Sequence, residues 1–227
     1  MSLKIGLLGL ASAGKDTAAE ILQRVLAEQG MCFPIMKYAG LLKEATRLAF
    51  GDNFDDRDVK EERVFVTPDL ADKIIDATDY VWLKLGFSQE HFEIFNDLCV
   101  QCIDSKTWIS PREFQQLLGT DVVRAIDPDA WVNYLKSEDG NFIVSDVRFT
   151  NELVDYNVLL WRTDICQDDA GVLGHSSEKL AWQCMLDVQH TDAPYLHDYT
   201  LWNDGTPEGL ERNIRFMVST IDFSNYK

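Results

Sequence analysis

No stretch of this chain runs apolar for anything near the roughly 18 residues that a membrane-spanning helix needs, so no spanning segment is expected. Basic residues are scarce: 21 Lys and Arg stand against 38 Asp and Glu, a formal charge of −17. Affinity for long nucleic acid rests on phosphate neutralisation by Lys and Arg. The balance therefore argues against a polymeric nucleic-acid partner, but not against a small phosphorylated ligand held by a few converging cations. Cysteine is sparse too. The five thiols (Cys32, Cys99, Cys102, Cys166 and Cys184) are odd in number and unevenly spaced. Cys99-x-x-Cys102 has the spacing of a redox pair or half a zinc site, but no second pair completes the roughly four ligands zinc takes. Reduced thiols are the expectation. Met1-Ser2-Leu3-Lys4 leads straight into an apolar run and leaves no room for a signal peptide, so a cytoplasmic protein is expected. The chain's 227 residues, 46% apolar, suit one α/β domain with inserted helices.

What is present is concentrated near the start. Ile5-Gly6-Leu7-Leu8 ends an apolar run short enough for a buried parallel strand. Gly9-Leu10-Ala11-Ser12-Ala13-Gly14-Lys15 follows and fits the G-x-x-x-x-G-K part of a phosphate-binding loop. Backbone N–H groups that wrap a phosphate closely leave no room for side chains at the glycines. Lys15 supplies a point charge, and the next helix aims its positive end at the same anion. That helix is marked by Ala18, Ile21, Leu22, Val25 and Leu26, spaced as one amphipathic stripe. A Ser or Thr, whose hydroxyl would ligate Mg²⁺, usually follows the lysine; here Asp16 stands there, then Thr17. Asp16 reads either as a magnesium-side carboxylate or as an acidic residue favoured at a helix N-terminus, with Thr17 a phosphate or metal contact.

Further along, Cys32–Met36 reads as a strand, an edge one because of Pro34. A helix runs on to Phe50 with Leu41, Leu42, Ala45, Leu48 and Ala49 inward and Gly51 ending it. Lys37 and Lys43 stand out in an acidic chain, either as solvated lysines or as holders of an anionic substrate. From Asp52 to about Thr107 the pattern loosens. The charge-rich Asp55–Arg63 reads as an exposed loop or short helix, a helix is plausible around His91 to Phe95, and the whole stretch reads as an insertion. Ser110-Pro111 starts a helix with serine as cap. Gly119 within it predicts a close approach or a break, and a short helix follows over 129–135. Asn141–Ser145 is the next buried strand. Asp146-Val147-Arg148 lies at its carboxyl end, where open α/β sheets bind ligands and where a magnesium-holding carboxylate would sit; a helix cap is the alternative for Asp146. Strands over 158–161 and 199–202 come next, and Thr206 caps a final helix from Pro207 to about Ile221. No internal repeat appears. The expectation is α/β with a mostly parallel sheet.

Taken in order, several motifs resemble the deoxynucleoside monophosphate kinases of bacteriophages, a branch of the P-loop nucleoside monophosphate kinase fold. They are Gly14-Lys15-Asp16-Thr17; Lys37-Tyr38-Ala39-Gly40 leading to Lys43; Arg112, Gln116, Leu118-Gly119-Thr120-Asp121 and Trp131; Asp146-Val147-Arg148; Asn151-Glu152; His175-x-Ser177-Glu178; and Asn203-Asp204-Gly205. The likeness covers most of the chain except 52–107. It implies a three-layer P-loop kinase fold, with 52–107 as the inserted acceptor or lid region, and transfer of the ATP γ-phosphoryl group to a deoxynucleoside monophosphate. On the resemblance, Gly9, Ala11, Ser12, Ala13, Gly14 and Lys15 hold the ATP phosphates, and Asp16 or Thr17 with Asp146 places Mg²⁺. Lys15, Arg112 and Arg148 serve transfer. Lys37, Lys43, Gln116, Asp121 and Arg124 hold the acceptor, Arg124 being a further candidate phosphate clamp. Arg162 and Asn203 lie at late strand ends near the adenine.

Rival readings remain. A P-loop kinase of another acceptor, such as dephospho-coenzyme A, would differ only in its acceptor pocket. A nucleotide-dependent switch finds the permissive Asp168-x-x-Gly171 but no N-K-x-D base-reading motif. His175-Ser176-Ser177-Glu178 invites a hydrolase reading, but triad members converge from separate places and no G-x-S-x-G elbow exists; a helix start capped by Ser176 or Ser177 is the plainer reading. A homodimer is the default oligomeric expectation. Base preference is not legible, because it comes from pocket geometry.

Overall fold

The computed structural model describes residues 2–162, 179–189 and 196–224. Its elements run β1 (Lys4–Leu8), α1 (Lys15–Glu28), β2 (Ile35–Met36), α2 (Gly40–Phe50), β3 (Val64–Phe65), α3 (Pro68–Leu85), α4 (Phe92–Cys99), β4 (Trp108–Ile109) and α5 (Pro111–Gln116). They continue α6 (Arg124–Ile126), α7 (Ala130–Ser137), β5 (Phe142–Val144), β6 (Tyr156–Arg162), α8 (Lys179–Gln189), β7 (Tyr199–Asn203) and α9 (Pro207–Thr220). π-Helical stretches cover Val100–Asp104 and Leu117–Val123. The chain forms two compact units, Met1–Tyr38 with Glu138–Lys227, and Ala39–Ser137. Among the described residues no helix is long and apolar enough to cross a membrane.

The first unit is α/β. Its five strands stand in the order β2-β5-β1-β6-β7 and every pairing is parallel. A parallel sheet buries both faces, which is why its strands read as continuous apolar runs. Ile5, Leu7, Val158, Leu160 and Leu201 share one core with the inner stripe of α1 and with Leu210, Ile214 and Met217 of α9. Leu8 and Leu159, which alternate onto the other face, are 0% exposed as well. β2 is an edge strand, as Pro34 requires, and shorter than expected. Proline cannot donate to the ladder, but its carbonyl accepts the Ile143 N–H at 2.9 Å. From β1 the chain leaves through α1 toward β2; from β5 it goes on to β6, on the other side of β1. The connections diverge between the carboxyl ends of β1 and β5, and such a switch point leaves a crevice there.

The second unit packs Leu41 and Ala45 of α2, Ile74, Ala77 and Val81 of α3, Phe95 of α4 and Phe114 of α5 into a separate core. Ser110 caps α5 as its sequence predicts, its Oγ accepting the Glu113 N–H at 3.1 Å. Gly119 shows the close approach expected of it, with no break in the helical backbone. A Cβ there would lie 2.8 Å from Leu42 Cδ2, and the regular helix gives way to the π-helical stretch around it. The Gly119 carbonyl also accepts the indole N–H of Trp131 at 3.1 Å.

The longest helix of this unit, α3, has 18 residues and lies inside the stretch whose pattern looked loose. Its signal was present in Thr67-Pro68, whose threonine accepts the Leu70 N–H at 3.3 Å, and in Leu70, Ile74, Ala77 and Val81 on one face. Asp69, Asp72, Lys73, Asp76 and Asp79 on the outer faces obscured it. The β3–β4 ribbon pairs only two residues of each strand, too few for a periodic signal.

Candidate functional site

The loop between β1 and α1 is shaped by what its carbonyls do. Lys15 folds back so that Nζ donates to the Gly9 and Leu10 carbonyls, both at 2.8 Å. Arg162, at the end of β6, donates to the Ser12 carbonyl at 3.2 Å. Asn203, at the end of β7 and 7% exposed, donates to the Ala13 carbonyl at 2.9 Å. The two late-strand residues, paired in register, therefore hold the outer wall of the loop. Ser12 takes a φ of 59°, and Gly14 one of 93°, in the left-handed region that side chains disfavour. A Cβ on Gly9 would stand 2.7 Å from the Leu160 carbonyl oxygen, so the loop lies on β6 with no room for a side chain. With its carbonyls engaged, the loop gives way to a helix whose first turn has no side-chain cap. The first N–H groups of a helix have no intrahelical acceptor, and here the earliest bond back runs from Ala18 to the Gly14 carbonyl, at 2.9 Å. A helix start that receives no side-chain cap from Gly14 suits an anion, because the helix dipole points its positive end there.

Across the switch point, Asp16 Oδ1 accepts from Lys37 Nζ at 2.7 Å and from Ser145 Oγ at 3.0 Å. Burial pushes the Asp16 carboxyl up, but the Lys37 hydrogen bond and charge, the Ser145 hydroxyl and the Lys15 charge together hold it below the ordinary aspartate value. Thr17 is exposed on the same turn. Asp146 is not a helix cap; its Oδ1 accepts the backbone N–H of Tyr38 at 2.8 Å. Arg148 stands two residues on, exposed, and none of the ion pairs formed among the described residues engages its guanidinium. The first unit thus gathers Lys15, Asp16, Lys37 and Asp146 around the ends of β1, β2 and β5.

In the second unit, Lys43 pairs with Asp55. The Arg112 guanidinium lies 3.8 Å from the Glu61 carboxylate. Gln116 ends α5, Asp121 is exposed on the π-helical stretch, and Arg124 opens α6. Sequence reasoning missed Ser145, 2% exposed, whose only signal is a hydroxyl closing an apolar strand next to Asp146. It also gave no role to Glu152, 3% exposed. Cys166, Asp168-x-x-Gly171 and His175–Glu178 lie outside the described residues. Cys32, Cys99 and Cys102 are free thiols. Burial, then the charges of Asp104, Cys102 and Asp79, push Cys99 up to about 12, which leaves it protonated and unreactive.

Asp16 and Asp146 offer hard carboxylate oxygens, the donors that magnesium prefers. Among the described residues no three acidic, His or Cys side chains come together as a metal cage, and magnesium beside phosphates takes only one or two protein carboxylates. The donor set therefore fits that ion. No known family model matches the chain, and no curated protein matches it at a significant level.

Proposed function

We propose that the chain is an ATP-dependent kinase of deoxynucleoside monophosphates. One observation carries the reading: the carbonyls of the Gly9–Lys15 loop are held by Lys15, Arg162 and Asn203, and the N-cap of α1, Gly14, adds no side-chain cap. A loop so arranged presents N–H groups and a lysine to a polyphosphate. The resemblance in ordered motifs supplies the acceptor class.

In this reading Lys15 exchanges the loop carbonyls for β- and γ-phosphate oxygens of ATP. An oxygen of the acceptor's 5′-phosphate forms a bond to the γ-phosphorus as the bond from that phosphorus to the β–γ bridging oxygen breaks. ADP and a deoxynucleoside diphosphate are left. Little covalent chemistry is asked of the protein; alignment and charge neutralisation supply the rate. On the resemblance, Arg148, Arg112 and Arg124 are the planar, bidentate groups suited to phosphate oxygens. Lys37, Lys43, Gln116 and Asp121 serve the acceptor. Magnesium held by Asp16 and Asp146, with Thr17 beside them, would neutralise charge on the β- and γ-phosphates.

ADP formation from ATP and Mg²⁺, measured separately with each deoxynucleoside monophosphate, each ribonucleotide and dephospho-coenzyme A, tests the proposal. Turnover with at least one deoxynucleotide, abolished in Lys15→Ala, is the expected result. Turnover only with another acceptor would retain the loop assignment and discard the acceptor class.

A further inference from the structure

Two buried polar side chains at the same strand ends take no part in the chemistry just described. Tyr38 is 5% exposed and Glu152 3%. Glu152 Oε2 accepts the backbone N–H of Arg148 at 2.7 Å and of Phe149 at 3.2 Å. Its main-chain carbonyl accepts the Tyr38 hydroxyl at 2.6 Å, and the Tyr38 N–H in turn donates to Asp146. A buried carboxylate is costly unless hydrogen bonds replace the water it loses, so the two bonds to consecutive N–H groups, the shorter one to Arg148, tie that backbone to Glu152. The result is a closed frame, Asp146–Tyr38–Glu152–Arg148, joining the end of β2 to the end of β5. Lys37, bonded to Asp16, hangs from the same frame one residue before Tyr38.

From this frame we infer that Tyr38 and Glu152 are positioning residues for Arg148: they set the backbone from which its exposed guanidinium reaches the transferring phosphoryl group. The inference rests on the kinase reading. Burial, together with the Glu152 and Asp146 charges, raises the Tyr38 hydroxyl above the ordinary tyrosine value, so it stays a proton donor to the Glu152 carbonyl at any working pH. A carboxylate that served only to close the loop would leave turnover indifferent to the missing hydroxyl. A positioning role makes turnover depend on it through Arg148 alone.

A kinetic double-mutant cycle separates the two. Tyr38→Phe removes one oxygen from a ring that stays packed; Glu152→Gln removes the charge. Each is expected to lower kcat by about ten- to a hundred-fold, since small misplacements of a transfer group cost that much, with the KM for ATP changed by less than about two-fold. In the Arg148→Ala background the same substitutions should lower kcat by less than about two-fold more, because the group they position is gone. Losses that multiply in that background, or a Tyr38→Phe enzyme with unchanged kcat, would overturn the inference. If Glu152→Gln fails to fold, the Tyr38→Phe arm decides alone. A wild-type chain without transfer to any acceptor would overturn the kinase reading as well, a result distinct from multiplying losses in an active enzyme.

Discussion

Asn203 connects the far strand of the sheet to the loop that the proposed chemistry depends on. Its amide donates to the Ala13 carbonyl and its Oδ1 accepts the Gly205 N–H at 3.0 Å, so both ends of the side chain are engaged. Asn203→Ala leaves the Ala13 carbonyl without this donor, and such a loss costs about 1–3 kcal/mol. Urea unfolding should show that loss, and ATP affinity should weaken with it; unchanged stability and affinity would separate β7 from the loop. Asp16 makes a different kind of prediction. Its side chain is 71% exposed, so the pair with Lys37 contributes no more than about 1 kcal/mol. Because the folded carboxyl titrates below its unfolded value of about 3.9, that stabilisation is complete above the unfolded value and is lost as pH falls through the folded one. The stability gap between wild type and Lys37→Met should therefore persist from neutral pH down to about pH 4 and close below it. A gap that closes near pH 6 would implicate another group.

Capping and packing of the helices follow rules that can be read directly. Ser110, Thr67 and Thr206 each precede a proline and each accept a first-turn N–H. Ser110→Ala should cost about 1 kcal/mol by chemical denaturation; no change would mean that α5 is held by packing alone. Gly119 and Trp131 form a more demanding pair. Trp131→Phe keeps a ring in the core but removes the indole donor to the Gly119 carbonyl, and a loss of about 0.5–1.5 kcal/mol is expected; a neutral effect would show that the bond adds nothing to stability. The parallel strands, the edge character of β2, the helix starts at Ser110 and Thr206 and the anomaly at Gly119 were legible, because each follows from local sterics or from short apolar runs. Helix α3 was not, since charges crowd its outer faces, and neither was the β3–β4 ribbon. At the candidate site, the glycines were legible because a tight turn dictates them, with a positive φ at Gly14 and a close approach to Leu160 at Gly9. The bonds of Arg162, Asn203 and Ser145 depend on how distant strands align, and no local pattern carries that.

For the molecule as a whole, the net charge of −17 is a source of self-repulsion that salt screens within a Debye length of about 10 Å at 0.1 M. The midpoint of thermal unfolding should rise as sodium chloride goes from about 10 mM to about 150 mM; a fall would mean that specific ion pairs such as Arg215 with Glu28 and Glu211 outweigh the net repulsion. The same charge makes local cation placement decisive, which is why Lys15, Lys37 and Arg148 at the strand ends matter more than the total. The parallel sheet was foreseeable from short continuous apolar runs separated by helical stretches. The division into two compact units was not, because the break falls at Tyr38–Ala39 and Ser137–Glu138, where composition does not change. The most direct test of the central claim follows the γ-phosphoryl group itself. With γ-labelled ATP, Mg²⁺ and the four deoxynucleoside monophosphates, the account predicts label in a deoxynucleoside diphosphate, at a rate that Lys15→Ala abolishes. Label recovered only as inorganic phosphate, or left in intact ATP by protein that binds it, would contradict the account.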